Sequence, residues 1–299
     1  MLSVCIPVYN VKVGNLVKDL SDQVALLNVP VEIIVIDDHS STDFNDANKI
    51  ALANKATYIA LPENVGRARI RNMFLRYAQY PYLLFLDCDS AILDKQFLAN
   101  YITEISKGEK VVCGGRVYSV TKPRREKVLH WTYGRKKESK PAAERQLKPN
   151  ASFMTNNFVV DRKVFEEIQL NEQIKGYGHE DTLFGYELKL KGINIKHIDN
   201  AVLHADLHTN KVFMDNTESA LRNLAEIIKT MGEDSDFSED IALLHYYYKL
   251  KKNGTLVFVK AVFIMKRPFM RLLLCAGFAS MFYLDLYKLG YFTITVNKQ

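Results

Sequence analysis

Along the first two hundred residues, short unbroken apolar runs alternate with stretches whose apolar positions recur every three or four residues. The runs at 2–8, 31–36, 58–60 and 82–86 read as strands, and the intervals 16–27, 44–54 and 68–77 as helices. Asp43 reads as the N-cap of the second helix. Continuous apolar strands separated by helices describe βαβ units and a parallel sheet covered on both faces. Further strands are predicted at 111–117, 158–160 and 193–198, with helices at 162–168 and 182–191, and the 201–206 stretch carries His204. Residues 122–148 are rich in Lys, Arg and Glu with little periodicity, which predicts a mobile loop or a partly helical insertion. From about residue 210 the pattern is helical, and from 255 strongly apolar with basic punctuation. No internal repeat is visible.

Polar clusters follow the C-terminal ends of three strands: Tyr9-Asn10, Asp37-Asp38 and Asp87-Cys88-Asp89. Open α/β sheets bind ligands in the crevice outside those ends. An Asp-x-Asp match alone is weak, expected about once by chance in a chain of this length. Asp234-Ser235-Asp236 is such a decoy, with no strand before it. The run Leu83-Leu84-Phe85-Leu86 distinguishes Asp87–Asp89, because it fixes the backbone before the carboxylates emerge. Adjacent carboxylates repel and are most easily sustained by a bound cation. Hard oxygen ligands favour Mg²⁺ or Mn²⁺.

Bulk properties narrow the choice less. With 299 residues, 48% apolar and 25% charged, the chain has a sizeable core and room for one large domain plus an appendage. A net charge of +6 suits an anionic ligand, a nucleic acid or an anionic membrane without choosing among them. The four cysteines form no CxxC pair, so neither a zinc knuckle nor a disulfide framework is indicated. The N-terminus reads as a strand without a basic leader or cleavage site, which predicts a protein kept in the cytoplasm. No G-x-G-x-x-G follows the first strand, which speaks against a Rossmann dehydrogenase. Nor does Pro7-Val8-Tyr9-Asn10 offer the Gly-rich basic loop of a sugar-phosphate nucleotidyltransferase.

Five motifs stand in order: Ser3-Val4-Cys5-Ile6-Pro7-Val8-Tyr9-Asn10, Val35-Ile36-Asp37-Asp38-His39-Ser40-Ser41-Thr42-Asp43, Asn64-Val65-Gly66 through Arg71-Asn72, Leu84-Phe85-Leu86-Asp87-Cys88-Asp89, and the segment 176–187 containing Glu180-Asp181. Together they resemble family 2 glycosyltransferases over roughly residues 1–205, with His39 where glycine or asparagine is more common. The resemblance implies an α/β GT-A fold, inverting sugar transfer and a Mn²⁺ or Mg²⁺ cofactor. It places Pro7, Tyr9 and Asp38 around the nucleobase and ribose, Arg71 near the base or diphosphate, and Asp87 at the ribose or a metal-bound water. Asp89 would ligate the metal, and His204 matches a metal histidine frequent in that family, with His197 and His208 as neighbours in sequence. Imidazole suits Mn²⁺ better than Mg²⁺.

A Glu-Asp pair opening a helix is ordinary capping chemistry in isolation. Behind Gly176-Tyr177-Gly178 and downstream of the metal motif, Asp181 reads instead as the general base, with Glu180 binding an acceptor hydroxyl. The donor expected is a nucleotide-diphosphate sugar, UDP ahead of GDP or dTDP, and the enzyme a hexosyl- or N-acetylhexosaminyltransferase. The acceptor expected is a hydroxyl of a glycan or lipid-linked glycan. A non-catalytic nucleotide-sugar-binding protein is the alternative. Arg124, Arg125, Arg135, Lys136 and Lys137 read as a solvated loop face, and without interleaved aromatics there is no case for nucleic acid.

The expected organisation is a catalytic domain at 1–208, a helical extension at 209–254 and apolar, basic helices at 255–299. Neither apolar run of the last segment reaches the roughly 20 residues needed to span a bilayer. Pro268 is expected to interrupt it. Its mixture of aromatic and basic residues predicts either helices in an anionic membrane interface, on the inner face of the cell membrane, or packing against the core or a second subunit in a homodimer. On the membrane reading, a chain cut near Lys252 keeps its fold and loses most of that binding; unfolding of the catalytic domain on truncation favours the core or dimer.

Overall fold

The computed structural model describes residues 1–174, 176–231 and 236–296, so Asp234 and Ser235 of the Asp-x-Asp decoy lie outside the described residues. Two compact units emerge. The first is Met1–Ser119 with Ser139–Gln173 and Glu180–Asp206; the second is Val120–Glu138 with Ile174–His179 and Leu207–Gln299.

The first unit holds strands β1 (Leu2–Val8), β2 (Val31–Asp37), β3 (Thr57–Ala60), β4 (Tyr82–Leu86), β5 (Ser90–Ile92), β6 (Val111–Cys113), β7 (Arg116–Val117), β8 (Asn157–Asp161), β9 (Lys196–His197) and β10 (Val202–His204). Its main sheet has seven strands in the order β3-β2-β1-β4-β8-β6-β9, and β5-β10-β7 form a smaller one. β1 runs parallel to both β2 and β4, while β8 is antiparallel to β4 and β6. The fold is mixed α/β, as the alternation predicts.

Both faces of the sheet are apolar because successive residues point to opposite sides. Cys5, Ile34, Leu83, Phe85 and Phe158 face one layer. That layer contains α3 (Arg67–Met73), α7 (Arg162–Glu167) and α8 (Glu180–Leu190), through Ile70, Phe165 and Phe184. Val4, Val35, Leu84 and Val159 face the other, which contains α1 (Gly14–Val24) and α4 (Phe97–Ser106), through Leu20 and Tyr101. This assignment decides which side chains can meet at the strand ends.

Several boundaries differ from expectation. Gly115 adopts φ +83°, which splits the 111–117 run into β6 and β7. Only residues 196–197 of the 193–198 run pair as a strand. The helix expected at 44–54 behind Asp43 begins two residues earlier, Thr42–Ala51 (α2), with Ser41 at its N-cap. The 122–148 segment is largely helical, with Val128–Tyr133 (α5) and Ala142–Arg145 (α6).

The second unit contains α5, α9 (Asn210–Met231), α10 (Phe237–Asp240), α11 (Ala242–Lys252), α12 (Leu256–Cys275) and α13 (Met281–Val296). Asn210 accepts a hydrogen bond from the Leu129 N–H at 2.9 Å, tying α9 to α5. Buried Glu218 on α9 accepts from the Tyr287 hydroxyl at 2.5 Å and from Arg271 Nε at 3.0 Å, which locks α12 and α13 to it. The Phe263 and Tyr287 rings pack edge to face at 5.3 Å. A chain cut near Lys252 would lose these partners and bare the apolar side of α9 that α12 and α13 pack against, so truncation there is expected to unfold this unit rather than spare it.

Pro268 does not interrupt α12, which runs through it. The Ile264 carbonyl loses its N–H partner, but Ile264 and Pro268 both lie on the exposed side, where water can take that place.

Gly178 adopts φ +98°, and a Cβ there would sit 2.4 Å from that of Ala220. Gly178→Ala combines a left-handed backbone with a clash, at an expected cost of about 2–4 kcal/mol. The single tryptophan, Trp131, belongs to the same unit, so its fluorescence on heating should report the loss.

Candidate active site

Past the end of β4 the ladder to β8 continues for one more bond, from the Asp87 N–H to the Asn156 carbonyl at 3.0 Å. Alternation therefore turns Asp87 to the face of Phe85, the side of α3 and α8. There Arg71 reaches Asp87 Oδ1 at 2.5 Å, and Arg116 approaches Oδ2 at 3.5 Å. Burial penalises the Asp87 carboxylate, yet Arg71, Arg67, Arg116 and His204 outweigh it and bring its pKa to about 2. On the same face Arg67 Nε donates to Glu180 Oε1 at 3.0 Å. Burial disfavours the Glu180 charge as well, but Arg67 prevails and lowers its pKa. Asp181 goes the other way: burial, then the neighbouring Glu180 carboxylate, push it up to about 6 against the hydrogen bond it accepts from the Thr182 N–H. Neighbouring carboxylates thus differ in proton affinity because the arginines favour one of them.

Asp89 meets the imidazole through the smaller sheet. His204 pairs with Ser90 in the β10–β5 ladder, and the Ala205 N–H donates to the Asp89 carbonyl at 2.9 Å. Asp89 Oδ2 then lies 3.3 Å from His204 Nδ1, while Asp89 Oδ1 is buried with no hydrogen-bond partner. An orphaned carboxylate oxygen beside an imidazole fits a divalent cation. Among the described residues no group of three His, Cys, Asp or Glu side chains is placed to hold one, so Asp89 and His204 are the pair these residues offer. That suits an ion whose remaining positions go to water and phosphate oxygens. The other two histidines are used differently. His197 contacts Arg145 through Nδ1 and donates from Nε2 to the Pro149 carbonyl at 2.8 Å. His208 belongs to the second unit, where its ring stacks on His130 with centroids 5.2 Å apart.

At the β1 and β2 ends, Pro7 is buried in its strand and Tyr9 is 53% exposed. Asn10 and His39 both take positive φ, 53° and 64°. That conformation is the physical reason for glycine or asparagine at the His39 position. The Asn10 N–H donates to Ser40 Oγ at 2.8 Å, and the Ser41 N–H to Asn10 Oδ1 at 2.9 Å, locking the two turns together. Both Asp38 oxygens accept backbone N–H bonds, from Val65 at 2.7 Å and Gly66 at 3.0 Å. Asp38 therefore positions the loop that opens α3, with one lone pair left per oxygen for a ligand.

The family model for "Glycosyl transferase family 2" matches residues 3–169, more than half of the chain. The chain belongs to glycosyl transferase family 2. Its fold is that of GT-A enzymes, and its activity is glycosyl transfer. A mannosyltransferase from Pyrobaculum calidifontis in complex with GDP-Man and Mn²⁺ superposes with a TM-score of 0.61 at 15% identity, covering 99% of this chain and 86% of that one. Glucosyl-3-phosphoglycerate synthase from Mycobacterium tuberculosis, with Mn²⁺, UDP and glucosyl-3-phosphoglycerate, gives 0.53 at 16% identity, over 77% and 79%. TarS from S. aureus gives 0.53 at 19%, over 96% of this chain but 54% of that one. At such identities the likeness is one of fold. No curated protein sequence matches the chain at a significant level.

In this family 2 enzyme, residue patterning missed three side chains that help shape the site. Arg67 lies inside the Asn64–Asn72 motif, but nothing local distinguishes it from Arg69; its contact with Glu180 spans 113 residues. Arg116 sits in an apolar run that reads as plain strand. Asn156 is 2% exposed, and neither its amide oxygen nor its nitrogen has a hydrogen-bond partner. By alternation from Phe158 it belongs to the Asp87 face. Two adjacent asparagines before a strand, Asn156-Asn157, were the available signal.

Proposed function

We propose that the enzyme is an inverting transferase that moves a hexosyl or N-acetylhexosaminyl group from a nucleotide-diphosphate sugar to a hydroxyl of a glycan or lipid-linked glycan. UDP is the expected nucleotide, ahead of GDP or dTDP. The observation that carries this reading is the split among the carboxylates, with Asp181 raised while Glu180 and Asp87 are lowered. Asp181 takes the proton of the acceptor hydroxyl as that oxygen attacks the anomeric carbon. The bond from that carbon to the diphosphate breaks, and the nucleoside diphosphate leaves with its electron pair. Glu180, held ionised by Arg67, accepts a hydrogen bond from a second acceptor hydroxyl. The unpartnered amide of Asn156 can donate to one sugar hydroxyl and accept from another, offsetting a desolvation cost of about 1–3 kcal/mol. Pro7, Tyr9 and Asp38 border the nucleoside, and Arg71 and Arg116 hold Asp87 toward the ribose. Asp89 and His204 are the residues to hold Mn²⁺ or Mg²⁺, which when bound offsets charge on the departing diphosphate.

A panel of UDP-, GDP- and dTDP-sugars, scored for nucleoside diphosphate release and for thermal stabilisation with Mn²⁺ present, tests the reading. A donor at 100 times its Kd adds about 2.7 kcal/mol. Stabilisation without turnover on any hydroxyl acceptor favours a binding protein instead. The base has its own signature. Because Asp181 must be ionised to act, kcat/KM is expected to rise about tenfold per pH unit up to about pH 6 and then level off. A profile that is flat between pH 5 and 7 (roughly one unit either side of that value) would assign the proton to another group.

A further inference from the structure

No described helix is long and apolar enough to cross a membrane, yet α12 carries an apolar face that nothing among the described residues covers. Phe263, Met270 and Leu274 are its buried residues, on one side of the helix. Phe258, Val262, Met265, Phe269 and Leu272 follow one another at steps of four and three residues, which places them in a stripe on the opposite side. Four of them are more than half exposed: Phe258 73%, Met265 67%, Phe269 58% and Leu272 66%. On a helix of about 30 Å the stripe runs nearly end to end. Phe282 on α13, 73% exposed, adds a further aromatic.

Charge decides what fits this face. Between Asp240 and Asp285 the chain has no acidic residue and seven Lys or Arg. Arg267 and Arg271 turn inward to Glu218, whereas Lys249, Lys251, Lys252 and Lys266 are exposed around and before the stripe. A seam between two copies of α12 would bring like charges together with no acidic residue in either helix to relieve them. An anionic surface would take the same charges favourably, at about a fivefold gain in binding for each basic side chain brought close. We infer that α12 lies in the headgroup region of an anionic lipid bilayer, with Phe258 and Phe269 inserted and the lysines against lipid phosphates. This stands apart from the transfer chemistry at the strand ends.

Sedimentation of the full chain with phosphatidylcholine vesicles, with and without phosphatidylglycerol, tests it. Binding is expected with phosphatidylglycerol at low salt, at least about tenfold weaker without it or at high salt. Phe258→Ser/Phe269→Ser should weaken binding at least about tenfold with an unchanged melting curve, since both rings are solvent-exposed. Should that pair unfold, Lys249→Glu/Lys266→Glu must produce the same loss. Equal binding to both vesicles, or no loss in a folded variant, overturns the inference. So does a lipid-free dimer that Phe258→Ser/Phe269→Ser converts to monomer, which would make the stripe a seam between copies.

Discussion

Replacing Asp181 with asparagine is expected to slow turnover by at least about two orders of magnitude while making the folded chain harder to melt. The first effect follows from losing the proton acceptor while keeping the shape of the side chain. The second follows from the raised pKa. Burial and Glu180 make the ionised form unfavourable in the folded chain, so the folded state holds a proton more tightly than the unfolded one. Stability is then fullest below the unfolded pKa of about 3.9 and falls as pH rises toward 6. Asparagine carries no charge and escapes that penalty, so at pH 7 the melting temperature should rise, by calorimetry, by a few degrees. Donor binding should be unchanged, because Asp181 is not among the residues placed around the nucleotide. Near-normal turnover moves the base to Glu180. Lost turnover with a lower melting temperature would instead show that Asp181 is structural.

The second large effect concerns Asp89. Asp89→Asn should lower kcat at least about a hundredfold, with excess chelator doing the same to the unaltered enzyme. Its motivation is the buried Oδ1 without a partner and the His204 ring 3.3 Å from Oδ2. Mn²⁺ should restore activity at least as well as Mg²⁺, because one of the two ligands is an imidazole. Manganese binding by electron paramagnetic resonance, with nucleoside diphosphate present, gives a readout independent of turnover and should weaken in both Asp89→Asn and His204→Ala. Full activity in chelator would falsify the role given to this pair.

Sequence alone reveals the strand ends that gather the site, because buried parallel strands are written as unbroken apolar runs. Asp37-Asp38 and Asp87-Cys88-Asp89 stop those runs visibly. It reveals less where structure depends on distant partners. β7 and β9 lie inside the longer runs 111–117 and 193–198, so their bounds are not legible, and β10 has too few residues for a pattern of its own. Arg67, Arg116 and Asn156 owe their place to which face of the sheet they meet. The acidic pair at 180–181 looks like a helix cap from its neighbours in sequence; the two proton affinities separate because Arg67, ahead of Arg71, both from α3, lowers Glu180 while burial and Glu180 raise Asp181. Pro268 was misread for the same reason: a proline breaks a helix on average, but less so where solvent can serve the orphaned carbonyl. The stripe on α12 needed the knowledge of which side of that helix is already occupied.

The chain passes back and forth between its two units, and this sets an order on its making. Residues 120–138 leave the ribosome well before α9, α12 and α13, yet the Leu129 N–H waits for Asn210 and the Arg125 side chain for the Ala276 carbonyl. Lys288, close to the end, supplies the cation that sits 4.4 Å from the Tyr133 ring. During synthesis the β1–β4 half of the sheet can form early, but residues 120–138 lack these partners until α13 has emerged. A ribosome stalled between α5 and α13 therefore displays a stretch containing Trp131 that still lacks these later contacts, an early target for a chaperone or a protease.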